Sequence, residues 1–262
     1  AMRANHRRAI ERLTAELEDD PRYLAVILGG SVARGTELPD SDIDMILIAS
    51  QEEYARRVAE NDFVYFNEEV CDYPSGYAEA KVMSVSFIEE IAERGSEPAR
   101  AAFVGAQILS SRVPALAELL KRVTTYPEAE RIPKIRSFFA HFITHYWYLS
   151  ETERRREPYL QLRSAAEFAL FAGRLILAHN RILFPYHKWF MHALRAAPEK
   201  PDDLIDGMER LLAKPCLENA NPVLASVANF RDWEKPLHST SAQFMEDSEW
   251  NWRDGCAPVA DR

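Results

Sequence analysis

The sequence predicts an α+β fold in two parts: an N-terminal mixed β-sheet with flanking helices, then a C-terminal all-α helical bundle. Three observations carry this. Over residues 1–112, short β-prone runs alternate with helical runs, the pattern of strands and helices sharing one core. Beyond Pro114 no strand pattern recurs, and "SFFAHFITHYWYL" and "AAEFALFAGRLILAH" are apolar nearly all round, as in helices buried within a bundle. A chain of 262 residues is also long for one compact core and comfortable for two small domains. The expected domains are therefore 1–112 and 113–262.

In chain order, Ile10, Leu13 and Leu17 recur at helical spacing and predict an amphipathic helix over 5–18. Tyr23 to Leu28 is a β-prone run stopped by Gly29-Gly30, and a helix opens near Val32. Asp42 to Ala49 reads as a second strand, followed by a charged helix over 51–60. Phe63–Phe66 and Tyr77–Val85 read as strands separated by the turn-rich "CDYPSG". Helices over 86–94 and 97–104 and the short run "QIL" close the first part. The bundle is expected to hold helices at 115–123, 131–150, 158–181, 185–196 and 202–213, with Asp202 or Asp203 capping the last. From about 215 the chain is rich in Pro, Trp and acids, and reads as an irregular tail.

Composition narrows the function classes. With 47% hydrophobic and 28% charged residues the chain is an ordinary globular protein, and no run is long enough to span a bilayer. Basic residues near the start have no apolar segment behind them, so no signal peptide is expected; Ala1 before Met2 reads as a cloning remnant. Cys71, Cys216 and Cys256 are odd in number and widely spaced, which points to reduced thiols and the cytoplasm. A net charge of −9 disfavours nucleic acid or an anionic membrane as a partner.

The chemistry concentrates in "LAVILGGSVARGTELPDSDIDMILIAS", residues 24–50. Its glycines, at 29, 30 and 35, do not fit the dinucleotide fingerprint, and no Lys-Ser or Lys-Thr follows to make a Walker loop. What remains is a strand, a tight glycine turn and a serine opening a helix, which aims backbone N–H groups at an anion such as a triphosphate. Gly29 and Gly30 form the turn, Gly30 allows close approach for want of a Cβ, and Ser31 can cap the helix or donate to a phosphate oxygen. Asp42 and Asp44, two apart on a strand, project to one side roughly 6 to 7 Å apart. Two carboxylates so placed repel unless a cation lies between them, and magnesium carrying substrate phosphates is the natural one.

Gly30-Ser31, ten residues, then Asp42-Ile43-Asp44 among apolar neighbours resembles the signature of the nucleotidyltransferase superfamily related to DNA polymerase beta. Within it, "GGSVARG" followed by "SDIDMIL" is most similar to the small-molecule branch, the aminoglycoside and lincosamide nucleotidyltransferases. The resemblance implies two Mg2+ ions, ATP or another nucleoside triphosphate as co-substrate, and a small hydroxylated acceptor, for example an aminoglycoside-like one. It also implies a third carboxylate on a neighbouring strand. Glu79, in a β-prone run, is preferred over Asp72 in its turn, because a strand holds an acid more rigidly; a surface pair with Lys81 is its plainer reading. The alternatives to such an enzyme are an antitoxin-type enzyme adding AMP to a protein partner, and a nucleotide-binding regulator without catalysis.

Further candidates each have a plain reading beside the functional one. Arg34 can reach a phosphate or pair with Glu37 or Asp40; Ser41 can touch the nucleotide or serve as a loop hydroxyl. Lys188 and Trp189 can hold a phosphate and an adenine, with Trp189 otherwise in the core. Glu167 can meet the acceptor as a general base, or belong to an ion-pair network with Arg163 and Arg174. His141 and His145 have zinc-like spacing but lack the accompanying Glu and lie on an aromatic face, so they read as core or interface histidines. The acidic run "EDSEW", Glu246 to Trp250, reads as a solvated face.

Overall fold

The computed structural model describes residues 2–255; Ala1 and Cys256 lie outside them. The chain divides into two compact units, Ala1–Thr125 and Tyr126–Arg262.

The first unit is a five-stranded sheet with helices on both faces. In chain order it runs α1 (Ala4–Glu18), β1 (Tyr23–Leu28), α2 (Gly30–Arg34), β2 (Ile43–Ala49), α3 (Gln51–Glu60), β3 (Val64–Asn67), β4 (Ala78–Met83), α4 (Val85–Arg94), α5 (Glu97–Ala101), β5 (Gln107–Ser111) and α6 (Leu116–Thr124). The strand order is β3-β4-β2-β1-β5. The β2–β4 pair is parallel and the other three pairs are antiparallel, so the sheet is mixed. Alternation along the strands sorts the core into two layers. Val26, Leu28, Met45, Leu47, Ala80 and Val82 pack against Leu13 and Leu17 of α1. On the opposite face Ala25, Ile27, Ile46 and Ile48 meet Ile88, Ile91, Leu119 and Val123 of the helical layer. The α6 helix lies past the expected boundary at 112, yet it packs with α4 and α5, because Leu116, Leu119, Leu120 and Val123 face that layer.

The second unit comprises α7 (Glu128–Arg155), α8 (Pro158–His179), α9 (His187–Ala196), α10 (Leu204–Ala213), α11 (Leu217–Phe230), α12 (Thr240–Ser248) and a short 3₁₀ turn at Asn251–Arg253. Its core is built on α7 and α8, where Phe142 and Phe168 stack at 4.7 Å between centroids. The irregular tail expected from about 215 is a correction: α11 and α12 are helices. Pro222 inside α11 and the Pro, Trp and acid content masked the period, while Ala220, Val223 and Val227 bury one face. The "EDSEW" run is not wholly a solvated face either. Asp247 accepts from Gln243 at 3.0 Å and lies 3.5 Å from His141 Nε2. His145 sits among Phe171, Tyr148 and Phe244, and burial pushes it down to about 3, which keeps it neutral. Among the described residues, no helix is long and apolar enough to cross a membrane, and Cys71 and Cys216 are free.

Candidate active site

The site begins where β1 stops. Gly29 N–H donates to the Asp44 carbonyl at 2.8 Å, which ties the turn to the start of β2. Gly30 follows with φ +63°, a conformation L side chains rarely adopt, and a Cβ placed there would lie 1.9 Å from Asp44 Oδ2. The glycine is therefore required twice, by its backbone and by the carboxylate lying over it. The first helical bond of α2 is Ala33 N–H to the Gly29 carbonyl, at 3.2 Å, so the amides of Gly30, Ser31 and Val32 precede the ladder. Ser31 is buried, and its carbonyl accepts from Thr36 N–H at 3.0 Å, closing the turn behind α2.

Asp44 shares a strand face with Ile46 and Ile48, which lie under the α4–α6 layer, yet Asp44 itself is exposed. The helical cover therefore ends short of it. Asp42 stands one residue before β2 rather than within it, half-buried, and its Oδ2 accepts the Tyr77 hydroxyl at 3.1 Å. Glu79 is the register partner of Asp44 across the parallel β2–β4 pair, so its side chain shares that face, and it is exposed. Asp72, the alternative third acid, instead pairs with Arg8 at 2.9 Å. Among the described residues Glu79 and Lys81 make no ion pair, the plainer reading of that strand face.

The Tyr77 hydroxyl reports the charge of the cluster. Its hydrogen bond to Asp42 raises its pKa most, the Asp42 charge follows, and Glu79 and Asp44 add to it. Arg34 supplies the nearby positive charge: burial lowers its pKa, and the Asp44 carboxylate works in the opposite sense. Its aliphatic stem crosses Gly105, where a Cβ would come within 3.0 Å of Arg34 Cγ. Glu37, one of its possible partners, accepts Arg3 N–H at 3.2 Å. Ser41 is placed as a loop hydroxyl. Its Oγ accepts Leu38 N–H at 2.9 Å, and its carbonyl is held by the Tyr73 hydroxyl at 2.9 Å and His6 Nε2 at 3.1 Å.

The remaining candidates lie in the second unit. Lys188 is exposed in the first turn of α9, and the neighbouring Trp189 is half-buried, its ring 5.6 Å from that of His192. Glu167 pairs with Arg163 at 3.0 Å. Arg174 lies over the rings of Phe138 and Phe184 at 4.3 and 4.4 Å. One residue beside the acids was not read from the sequence as a site residue: Tyr77, bonded to Asp42. The available signal was its position two residues before Glu79.

All three acids offer carboxylate oxygens, which suits a hard cation such as magnesium and not zinc. Among the described residues no three His, Cys, Asp or Glu side chains form a ready metal cage. Magnesium does not require one, because it keeps waters and takes phosphate oxygens beside one or two carboxylates. The carboxylates of Asp44 and Glu79, exposed side by side on one face of the sheet, fit that requirement.

Residues 10–96 match the family model for a nucleotidyltransferase domain. The match runs from within α1 through α4 and includes the glycine turn and all three acids. It supports a transferase of nucleoside monophosphates in general. No curated protein matches the chain. Among solved structures, a nucleotidyltransferase-like protein from Exiguobacterium sibiricum is similar at 12% identity and a TM-score of 0.49, covering 94% of this chain and 78% of its own.

Proposed function

We propose that the protein transfers a nucleoside monophosphate from a nucleoside triphosphate, with ATP as the default donor, to a hydroxyl of a small acceptor. One observation supports this above the others: the glycine turn, Asp44 and Glu79 stand side by side on three adjoining segments, within the residues that match a nucleotidyltransferase domain. In this reading the amides of Gly30 and Ser31 and the Ser31 hydroxyl hold the β- and γ-phosphates, and Arg34 adds positive charge. Asp42, Asp44 and Glu79 would hold magnesium, which when bound neutralises the charge developing on the phosphates. The acceptor oxygen bonds to the α-phosphorus as the bond from that phosphorus to the bridging oxygen breaks. Pyrophosphate leaves, and the hydroxyl proton passes to Glu79 where that carboxylate acts as base instead of completing the metal set. Tyr77 orients Asp42. Ser41 keeps the loop before Asp42 in shape.

The test is incubation with labelled ATP, magnesium and a panel of hydroxylated acceptors, read as pyrophosphate release. Asp44→Asn should abolish release while circular dichroism and the thermal melt stay near those of the parent. Full release from that variant would defeat the mechanism. Labelling of a co-expressed protein would favour the antitoxin-type enzyme, and nucleotide binding without turnover on any acceptor would favour a regulator.

A further inference from the structure

Asp42 stands just before β2, yet the proposed reaction needs its carboxylate held as firmly as that of Asp44. Strand pairing fixes Asp44, through the β2–β4 register that begins at Ile43. What fixes Asp42 comes from elsewhere in the chain. The carbonyl of Ser41 belongs to the peptide plane that leads into Asp42, and that plane is rigid. Its oxygen accepts two hydrogen bonds, from the Tyr73 hydroxyl at 2.9 Å and from His6 Nε2 at 3.1 Å. A carbonyl oxygen has two lone pairs, and both are used. On the far side of Asp42, Ile43 N–H donates to the Tyr77 carbonyl at 2.9 Å. The peptide planes before and after Asp42 are therefore both tied. Its Oδ2 takes the Tyr77 hydroxyl, which leaves Oδ1 free of that bond.

The two donors are themselves built in. His6 lies on α1, 35 residues before Ser41, and is fully buried. A carbonyl cannot donate, so Nε2 carries the proton, and among the described residues Nδ1 meets no partner. Burying a side chain with one nitrogen unmatched costs stability, and the bond to Ser41 is what that burial keeps. The Tyr73 ring meets His6 edge-on at 5.1 Å between centroids. It folds back over Gly76, where a Cβ would fall 2.5 Å from the ring. Arg8 to Asp72 at 2.9 Å and Arg12 to the Val70 carbonyl at 3.2 Å tie the same loop to α1. We infer that His6 and Tyr73 are positioning residues for Asp42, holding its backbone so that the carboxylate meets the metal–triphosphate complex. They act through the Ser41 peptide and touch neither metal nor nucleotide. This rests on the transfer reaction proposed above and on the use of Asp42 in it.

The test uses the full chain, Mn2+ in place of magnesium, and α,β-methylene-ATP, whose α–β bridge cannot be cleaved. Water-proton relaxation rises when the slowly tumbling protein takes up the Mn2+–nucleotide complex, so it reads binding and not activity. The parent protein should give a saturable rise. Tyr73→Phe keeps the ring and removes one donor, and should weaken uptake about tenfold, the most that loss of one hydrogen bond allows. His6→Leu should act alike, and His6→Gln, whose amide nitrogen can stand where Nε2 stands, should restore uptake. Asp42→Asn should weaken uptake more than either, and in that background Tyr73→Phe should add nothing. A merely structural role would lower the melting temperature of Tyr73→Phe and leave uptake by the folded protein at the parent value. That result would overturn the inference. So would equal weakening by Tyr73→Phe in both backgrounds, parent-like uptake by Asp42→Asn, or a His6→Gln as weak as His6→Leu. If His6→Leu does not fold, Tyr73→Phe decides. No rise with the parent protein would remove the transfer reaction and this inference together, and so is told apart from parent-like uptake by Tyr73→Phe.

Discussion

At the scale of single residues, the candidate site depends on what is absent as much as on what is present. Gly30 has no Cβ because Asp44 Oδ2 occupies the place one would take, and because its φ of +63° is one that L side chains rarely adopt. Gly30→Ala should therefore cost about 1–2 kcal/mol for the left-handed backbone alone. It should also push the Asp44 carboxylate off its position, so that pyrophosphate release is lost even where the melting temperature falls only a few degrees. Release at the parent rate from a folded Gly30→Ala protein would mean that Asp44 is not needed where it lies. The glycine pair, Ser31 and the two aspartates were legible because they are close in sequence and chemically unusual. Tyr77 was not, because nothing in "SGYAEA" announces that the run will lie beside Asp42.

At the scale of elements, α3 shows how a local motif becomes a tertiary anchor. Ser50 caps the helix by accepting Glu53 N–H at 3.2 Å, and Glu53 then turns inward instead of closing the capping box on Ser50. Its carboxylate accepts from Arg56 at 2.8 Å and from Arg57 at 2.7 Å, and Arg57 reaches the Tyr23 hydroxyl on β1 at 3.0 Å. Chiefly through the hydrogen bond from Arg56, against burial and aided by Arg57, the Glu53 carboxyl is held down to about 2 from its ordinary 4.5. The folded pKa is below the unfolded one, so the stability this group contributes is complete above pH 4.5. It is lost as pH falls toward 2. Glu53→Gln should flatten the acid limb of a stability–pH curve over that window. At neutral pH it should cost about 3 kcal/mol, because Arg57 stays buried with one partner fewer. An unaltered acid limb in denaturant titrations would refute this. Element positions themselves were largely readable: the strand at Tyr23–Leu28 and the helix at Gln51–Glu60 fall where periodicity puts them. The long α7 starts at Glu128, earlier than its period suggests, since Pro133 interrupts the pattern without ending the helix.

At the scale of the whole molecule, each unit has its own core. The buried apolar residues of the second unit, from Ile135 to Trp233, form one cluster, while those of the first unit form two layers on either side of the sheet. Separate cores imply separate melting. Phe142→Ala, which empties a fully buried ring position stacked on Phe168, should destabilise the second unit by about 3–5 kcal/mol. In calorimetry of the full chain, one transition should move down and the other stay in place. Equal movement of both would show that the cores are energetically coupled.

The sequence by itself determined the α+β class, most element positions, the turn at Gly29–Ser31 and the pair Asp42 and Asp44, because each is written within a few residues of chain. Only the tertiary structure decided that Glu79 and not Asp72 stands beside Asp44, since strand register is set by packing between segments distant in sequence. It likewise decided that α11 and α12 are helices, where burial of a few apolar residues overrides Pro222 and an acidic composition.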